Sequence, residues 1–148
     1  MDSTTIALVA AHEDDAEALV ALRIAAMRDS LTRIGRYDPQ RARERFLSGF
    51  VAEQTRHIEA SGRRVGFVVV KPGPQALLLD HLYIHPDSQG LGIGAIVLAR
   101  IIDEARQQGL PLRVGALRDS DANRFYLRHG FKLVGQEEFD NYYLLSVQ

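Results

Sequence analysis

The sequence predicts a single mixed α/β domain, and three observations carry that prediction. Short apolar runs bounded by glycine, proline and polar turns alternate with longer stretches whose apolar residues recur at helical spacing. One apolar run, LLDHLYI from Leu78 to Ile84, leads through HPDSQGLGIG into the periodic stretch AIVLARIIDEARQQG. A buried strand thus delivers the chain to a glycine loop that opens a helix. No internal repeat, low-complexity segment or linker interrupts the 148 residues. A chain of this length buries about two-thirds of its unfolded surface.

The elements follow in order. Thr4 to Ala10 reads as a short strand, and His12-Glu13-Asp14-Asp15 is suited to capping a helix from Ala16 to Met27. Leu19, Leu22, Ala26 and Met27 fall near helical spacing there. Arg28 to Gln40 contains Gly35 and Pro39 and is expected to form a loop, with at most a turn of helix. A second helix is expected from Pro39, a residue favoured at the first helical position, to Phe50. Thr55 to Ala60 and Val65 to Lys71 read as strands around the turn Ser61-Gly62-Arg63. Lys71-Pro72-Gly73-Pro74 turns the chain into the strand Ala76 to Ile84.

Beyond the glycines, apolar residues at Ile96, Val97, Ala99, Ile101, Ile102 and Ala105 mark a helix, which Gly109 stops with Pro111 behind it. Leu112 to Leu117 forms another strand. Asp119-Ser120-Asp121 is placed to cap a short helix from Ala122 to His129, ended by Gly130. Phe131 to Val134 and Tyr142 to Val147 read as a closing strand pair around the polar turn Gln136 to Asn141.

Composition removes several classes of function. The chain is 46% hydrophobic and 25% charged, ordinary for a globular protein, and its formal net charge of −1 leaves no broad footprint for nucleic acid or an anionic membrane. It has no cysteine, hence no disulfide, thiolate nucleophile or cysteine-ligated metal. The opening MDSTTIALVAAHEDD has an apolar core of six residues and no basic start. Neither a signal peptide nor a membrane span is expected, and the expected location is the cytoplasm.

The glycine loop has the chemistry of an anion site. The first turn of a helix leaves backbone N–H groups without intrahelical partners, and its dipole favours negative charge. Gly90, Gly92 and Gly94 lack the Cβ atoms that would hold a phosphate off those groups. Gln89 stands just ahead with a side-chain amide to donate. The plainer alternative is a helix cap with flexible glycines.

At this point the residues resemble a family. QGLGIG matches the Q/R-x-x-G-x-G/A motif of the GCN5-related N-acetyltransferases (GNAT), with Gln89, Gly92 and Gly94 in the fixed places. LYIHPDSQG is similar to the strand and turn that precede that loop. ANRFYLRHGF, Ala122 to Phe131, resembles the family's A-x-x-F/L-Y-x-x-x-G-F segment. The two motifs cover residues 78 to 131. The resemblance implies a mixed, mostly antiparallel sheet of six to seven strands, with helices on both faces in three α/β/α layers and splayed central strands.

It also implies acetyl-CoA as co-substrate, with no metal. Backbone groups of Leu82, Tyr83 and Ile84 would bond the pantetheine arm as an added strand. The pyrophosphate would rest on Gln89, Gly90, Leu91, Gly92, Ile93 and Gly94. Asn123 matches a position that contacts the coenzyme in many members, and Tyr126 the tyrosine that protonates the departing thiolate. In one departure, the asparagine that many relatives carry six or seven residues before the tyrosine is replaced by Ser120 or Asp119. Either can cap the helix, but one contact to coenzyme or substrate is put in doubt. A homodimer is common in the family, and nothing in this chain marks an interface.

The implied reaction sets requirements on side chains. An amine attacks a thioester carbonyl, so the amine must be neutral and the thiolate must be reprotonated. A thiol has a pKa of about 8.5 and a phenol about 10, which makes Tyr126 a workable acid once charge builds on sulfur. Asp80 and His81 are the candidate bases. Strand alternation puts them on opposite faces, but a bulge in the family's strand leaves parity undecided. An imidazole, with an ordinary pKa of about 6.5, suits a base near neutrality and favours His81. Each of the three also has a plain structural reading, as a strand-end polar group or a half-buried core tyrosine.

Rival readings fit less of the chain. Gly90 to Ala95 also matches G-x-G-x-x-G/A, and Asp119 could serve as the acidic partner of a ribose in a dinucleotide-binding oxidoreductase. There, however, the glycines follow the strand directly, whereas His85 to Gln89 intervene here. No Gly-Lys-Ser/Thr follows the glycines, which removes a Walker-type loop. His81 and His85 lie roughly 13 Å apart along a strand, too far to share a metal ion. A coenzyme-binding module without catalysis keeps the loop but has no use for Tyr126.

The acceptor carries no motif. A small metabolite amine, an antibiotic, a peptide N-terminus and a lysine side chain are all compatible, so a protein or peptide N-acetyltransferase stands beside the small-molecule enzyme. Residues 28 to 45 hold six Arg against Asp29, Asp38 and Glu44, either a solvated helix face or the wall of a site for an acidic substrate. The second alternative directs attention to Arg33 and Arg36, and to a small molecule bearing an acidic group.

Overall fold

The computed structural model describes residues 5–33 and 35–146. Its strands and longer helices are β1 (Ile6–Ala10), α1 (Ala16–Arg33), α2 (Pro39–Gly49), β2 (Thr55–Ala60), β3 (Arg63–Lys71), β4 (Leu77–Ile84), α3 (Ile93–Gln108), β5 (Leu112–Leu117), α4 (Ala122–Arg128), β6 (Lys132–Gln136) and β7 (Asp140–Leu145). The strands form one open, mixed sheet in the order β1-β2-β3-β4-β5-β7-β6. The β1–β2, β2–β3, β5–β7 and β6–β7 pairs are antiparallel, and β4–β5 is parallel. No helix among the described residues is long and apolar enough to cross a membrane.

The contacts divide the chain into two compact units, Met1–Val69 with His81–Leu98, and Val70–Asp80 with Ala99–Gln148. In the first, α1 and α2 supply Leu19, Val20 and Phe46 to a core shared with Ala11, Phe67 and Val69. Arg43 of α2 forms a two-point ion pair with Glu17 of α1. Asp38 caps α2 by accepting from the Arg41 N–H at 3.1 Å, with Pro39 at the first turn. Strands β2 and β3 form a hairpin over Ser61 and Gly62, both at positive φ (51° and 84°), as a two-residue turn of primed type requires.

In the second unit, β5 pairs along its whole length with β7, from Leu112↔Leu145 to Leu117↔Asp140. On its other edge, β5 pairs with β4 over Leu77↔Leu112 to Leu79↔Val114, whereas β4 itself runs on to Ile84. Helix α3 begins in the first unit and continues in the second from Ala99; its buried residues fall at Ile93, Val97, Leu98, Ile101, Ile102 and Ala105, one apolar stripe at helical spacing. Ile96 and Ala99, expected on that stripe, are exposed.

Most expected elements form within a residue or two of their expected ends. Thr4 and Val147, placed in the first and last strands, lie outside the described residues. One boundary is corrected. Helix α1 runs to Arg33, six residues beyond Met27 and into the first half of the segment expected as a loop. The stop is at Gly35 (φ 70°): Gly35 N–H donates to Thr32 O and Arg36 N–H to Leu31 O. That pair of bonds is a Schellman termination, and α3 and α4 end the same way at Gly109 and Gly130.

Candidate functional site

The glycine loop is built from the end of β4 onward. His85 N–H donates to Val65 O at 2.7 Å, and a 3-10 turn over Pro86–Ser88 follows. Gln89, expected to face an anion, is turned back: its side-chain amide donates to Ile84 O at 2.9 Å and its backbone N–H to Pro86 O at 3.3 Å. One amide proton of Gln89 therefore closes the loop onto the strand. Gly90 and Gly92 have φ of 79° and 80°, and a Cβ built on either meets nothing within 4 Å. The first bond of α3 runs from Ile96 N–H to Gly92 O, so the N–H groups of Ile93, Gly94 and Ala95 precede it at the positive end of the helix. Positive-φ backbone, unobstructed space and leading N–H groups together fit a phosphate.

On β4, the two candidate bases have different surroundings. Asp80 carries an ion pair with Lys71 Nζ at 3.7 Å. His81 lies in an aromatic cluster, with ring centroids 5.4 Å from Phe46, 6.0 Å from Phe67 and 5.5 Å from Tyr83. Leu82, Tyr83 and Ile84 follow at intermediate exposure. The Tyr83 carbonyl oxygen occupies the place where a side chain at Gly66 would begin, and the Ile84 Cα lies 3.2 Å from that point. Only glycine lets β3 and β4 approach this closely.

In the second unit, Tyr126 of α4 is buried, its ring packed on Phe125 (5.3 Å), Phe131 (5.4 Å) and Tyr143 (6.2 Å). Asn123, expected at the coenzyme, has its side chain committed within the unit. Its amide nitrogen donates to the carbonyls of Leu117 (2.7 Å), Ser120 (2.8 Å) and Arg118 (3.2 Å). Its oxygen accepts from Asn141 Nδ2 and the Tyr143 hydroxyl. Asn123 thereby ties the turn that precedes α4 to β7. The N-cap residue, Asp121, makes no side-chain hydrogen bond to the helix, and the Ser120 hydroxyl donates backward to Leu117 O at 2.8 Å. Nearby, Tyr142 stands over Gly115, and its hydrogen bond to Glu137 raises the phenol above its ordinary pKa.

Two features of the first unit escape a reading by motif. Arg23 places its guanidinium carbon 5.9 Å from the centre of the Tyr83 ring. The signal was a charge interrupting the apolar series Leu19, Arg23, Met27 at four-residue spacing. The second is His57, 2% exposed, whose Nε2 lies 2.9 Å from Asp15 Oδ2. That bond, helped by the His12 N–H, lowers the Asp15 pKa to about 2. The two residues are 42 apart in the chain, so no local pattern joins them.

Against this geometry, residues 47–133 match the sequence model of the acetyltransferase (GNAT) domain, more than half of the chain. The chain belongs to the GNAT family. Relatives that match it include the L-methionine sulfoximine/L-methionine sulfone acetyltransferase of Salmonella typhimurium, 39% identical over 57 residues, and the L-amino acid N-acyltransferase MnaT of Escherichia coli, 37% identical over 57 residues. Each match covers 37% of this chain and 33% of the relative, so the matched chain spans about a third of the length of these curated relatives. Among solved structures, the PaiA N-acetyltransferase from Thermoplasma acidophilum in complex with coenzyme A superposes with a TM-score of 0.82 at 20% identity. That likeness covers 96% of this chain and 99% of the other, and it shows the GNAT fold. The sheet order and the membership together remove the dinucleotide-binding reading.

Proposed function

We propose that this protein transfers an acetyl group from acetyl-CoA to a primary amine of a small molecule by direct attack. The observation that carries the reading is the loop from Gly90 to Gly94, where positive-φ glycines and leading helix N–H groups fit a pyrophosphate, in a chain of the GNAT family. The names of the two relatives, both acting on amino-acid-type amines, support a small acceptor.

Acetyl-CoA would supply an activated acyl group and a thiolate leaving group. Leu82, Tyr83 and Ile84 align its pantetheine arm along β4, and the N–H groups from Gly90 to Gly94 hold its pyrophosphate. His81 takes the proton that the amine loses on attack. Asp80 is the weaker choice of base because its charge is engaged by Lys71. As the C–S bond breaks, the Tyr126 hydroxyl gives its proton to sulfur, and the aromatic packing around its ring fixes its direction. Asn123 acts as a positioning residue, holding the start of α4 on which Tyr126 stands. The cytoplasm is the location this reading assigns.

The test is release of free coenzyme A with a panel of amines. The chain has no cysteine, so a thiol reagent reports the product alone. Tyr126→Phe should lower kcat by about 10²-fold while acetyl-CoA still protects the fold against heat. Unchanged turnover in that variant removes Tyr126 from the mechanism.

A further inference from the structure

We infer that the acceptor is a small amino carboxylate and that Arg23 reads its carboxylate, an inference that rests on the acetyl-transfer reading above. Arg23 occupies the stripe of α1 that carries the buried Leu19 and Val20 into the core with Phe46 and Phe67. It is half-buried, and its Nε is shielded from solvent with no hydrogen-bond partner among the described residues. The face of Tyr83, 5.9 Å away, offsets part of the cost of desolvating a cation but offers that nitrogen no acceptor. Nε is closed to a ligand as it is to water, so the inferred carboxylate meets the Nη groups of this half-buried side chain. A carboxylate matches them, because its two oxygens pair with the planar fork of N–H groups.

The surroundings narrow the ligand further. The Arg23 guanidinium carbon and the His81 ring each lie within 6 Å of the Tyr83 ring centre. These distances put the two groups at most about 11 Å apart, and the inference takes the acceptor's carboxylate to Arg23 and its amine to His81. Phe46 and Phe67, both buried, back the His81 ring from the core. A lysine side chain within a protein has no free carboxylate so near its amine. Arg33, which the charge run brought forward, is exposed and donates to Ser30 Oγ at 3.4 Å.

The experiment measures coenzyme A release with the common L-amino acids and with the carboxamide of each, for the wild type, Arg23→Gln and Arg23→Lys. The wild type should use its best amino acid at least tenfold better than the matching amide, by kcat/KM. Arg23→Gln should raise KM for that amino acid at least tenfold, keep kcat within twofold and leave the amide unaffected. Arg23→Lys should recover part of the loss. Equal use of acid and amide by the wild type overturns the assignment, whether or not the variants fold. So does a parallel loss on both in Arg23→Gln, or turnover of amines without carboxylates only. Absence of both thermal protection by acetyl-CoA and thiol release with any amine overturns the parent reading instead, and this inference with it.

Discussion

The Tyr143 hydroxyl donates to Asn123 Oδ1 at 2.8 Å, tying β7 to the first turn of α4. The same oxygen accepts from Asn141 at 2.9 Å, while the Asn123 nitrogen serves carbonyls at the end of β5 and in the turn after it. One short side chain thus satisfies polar groups from three elements. Asn123→Ala leaves the Asn141 amide and the Tyr143 hydroxyl without this acceptor, whereas Leu117 O keeps the Ser120 N–H and hydroxyl and Ser120 O keeps the N–H of residue 123. At about 1–3 kcal/mol for each buried group left unmet, the variant should lose about 2–4 kcal/mol of stability. Tyr143→Phe, which leaves the other bonds in place, should lose about 1 kcal/mol. Urea unfolding of the two variants checks the ranking; equal losses would mean that Asn123 is not the node.

Gly66→Ala tests the close approach of β3 to β4. The added methyl group meets the Tyr83 carbonyl and the Ile84 backbone, neither of which is a flexible side-chain end. We expect a loss of about 1–3 kcal/mol from overpacking, together with weaker protection by acetyl-CoA, because the displaced residues are those proposed to align the pantetheine arm. Differential scanning calorimetry with and without acetyl-CoA separates the two effects. Full protection in the variant would detach Tyr83 and Ile84 from coenzyme binding.

Acid should expose the pairing of Asp15 with His57. The carboxyl titrates near pH 2 in the fold against an ordinary 3.8, chiefly through its hydrogen bond to His57. A depressed carboxyl contributes stability in full above its unfolded pKa and loses it as pH falls through the folded one. The stability gap between wild type and Asp15→Asn should therefore narrow as pH falls from about 5 to 2. Urea midpoints across that range are the measurement. A gap that does not change with pH would show that the pair adds nothing ionic.

Much of this architecture is readable from local chemistry. Glycines at 109 and 130 announced where α3 and α4 stop, and the strand–loop–helix from Leu78 onward was legible from its punctuation. Gly35 carried the same signal for α1, but the polar, arginine-rich residues before it have no apolar period to mark them as helix. The start of α4 is less legible for a different reason. Asp119 to Asp121 have the composition of a cap, and what the sequence does not announce is that Asn123, inside the helix, ties the turn before α4 to β5 and β7. Arg23 over Tyr83 and Asp15 against His57 are long-range pairings, which spacing along a chain does not encode.

The most direct test of the central claim is thermal unfolding with acetyl-CoA, using NADH at equal concentration as control. At a hundredfold excess over its Kd, a ligand bound only by the native state adds about 2.7 kcal/mol, which for a chain of this size raises Tm by about 5–10 °C. The account predicts that rise with acetyl-CoA and none with NADH. A rise with NADH alone, or with neither, would contradict it.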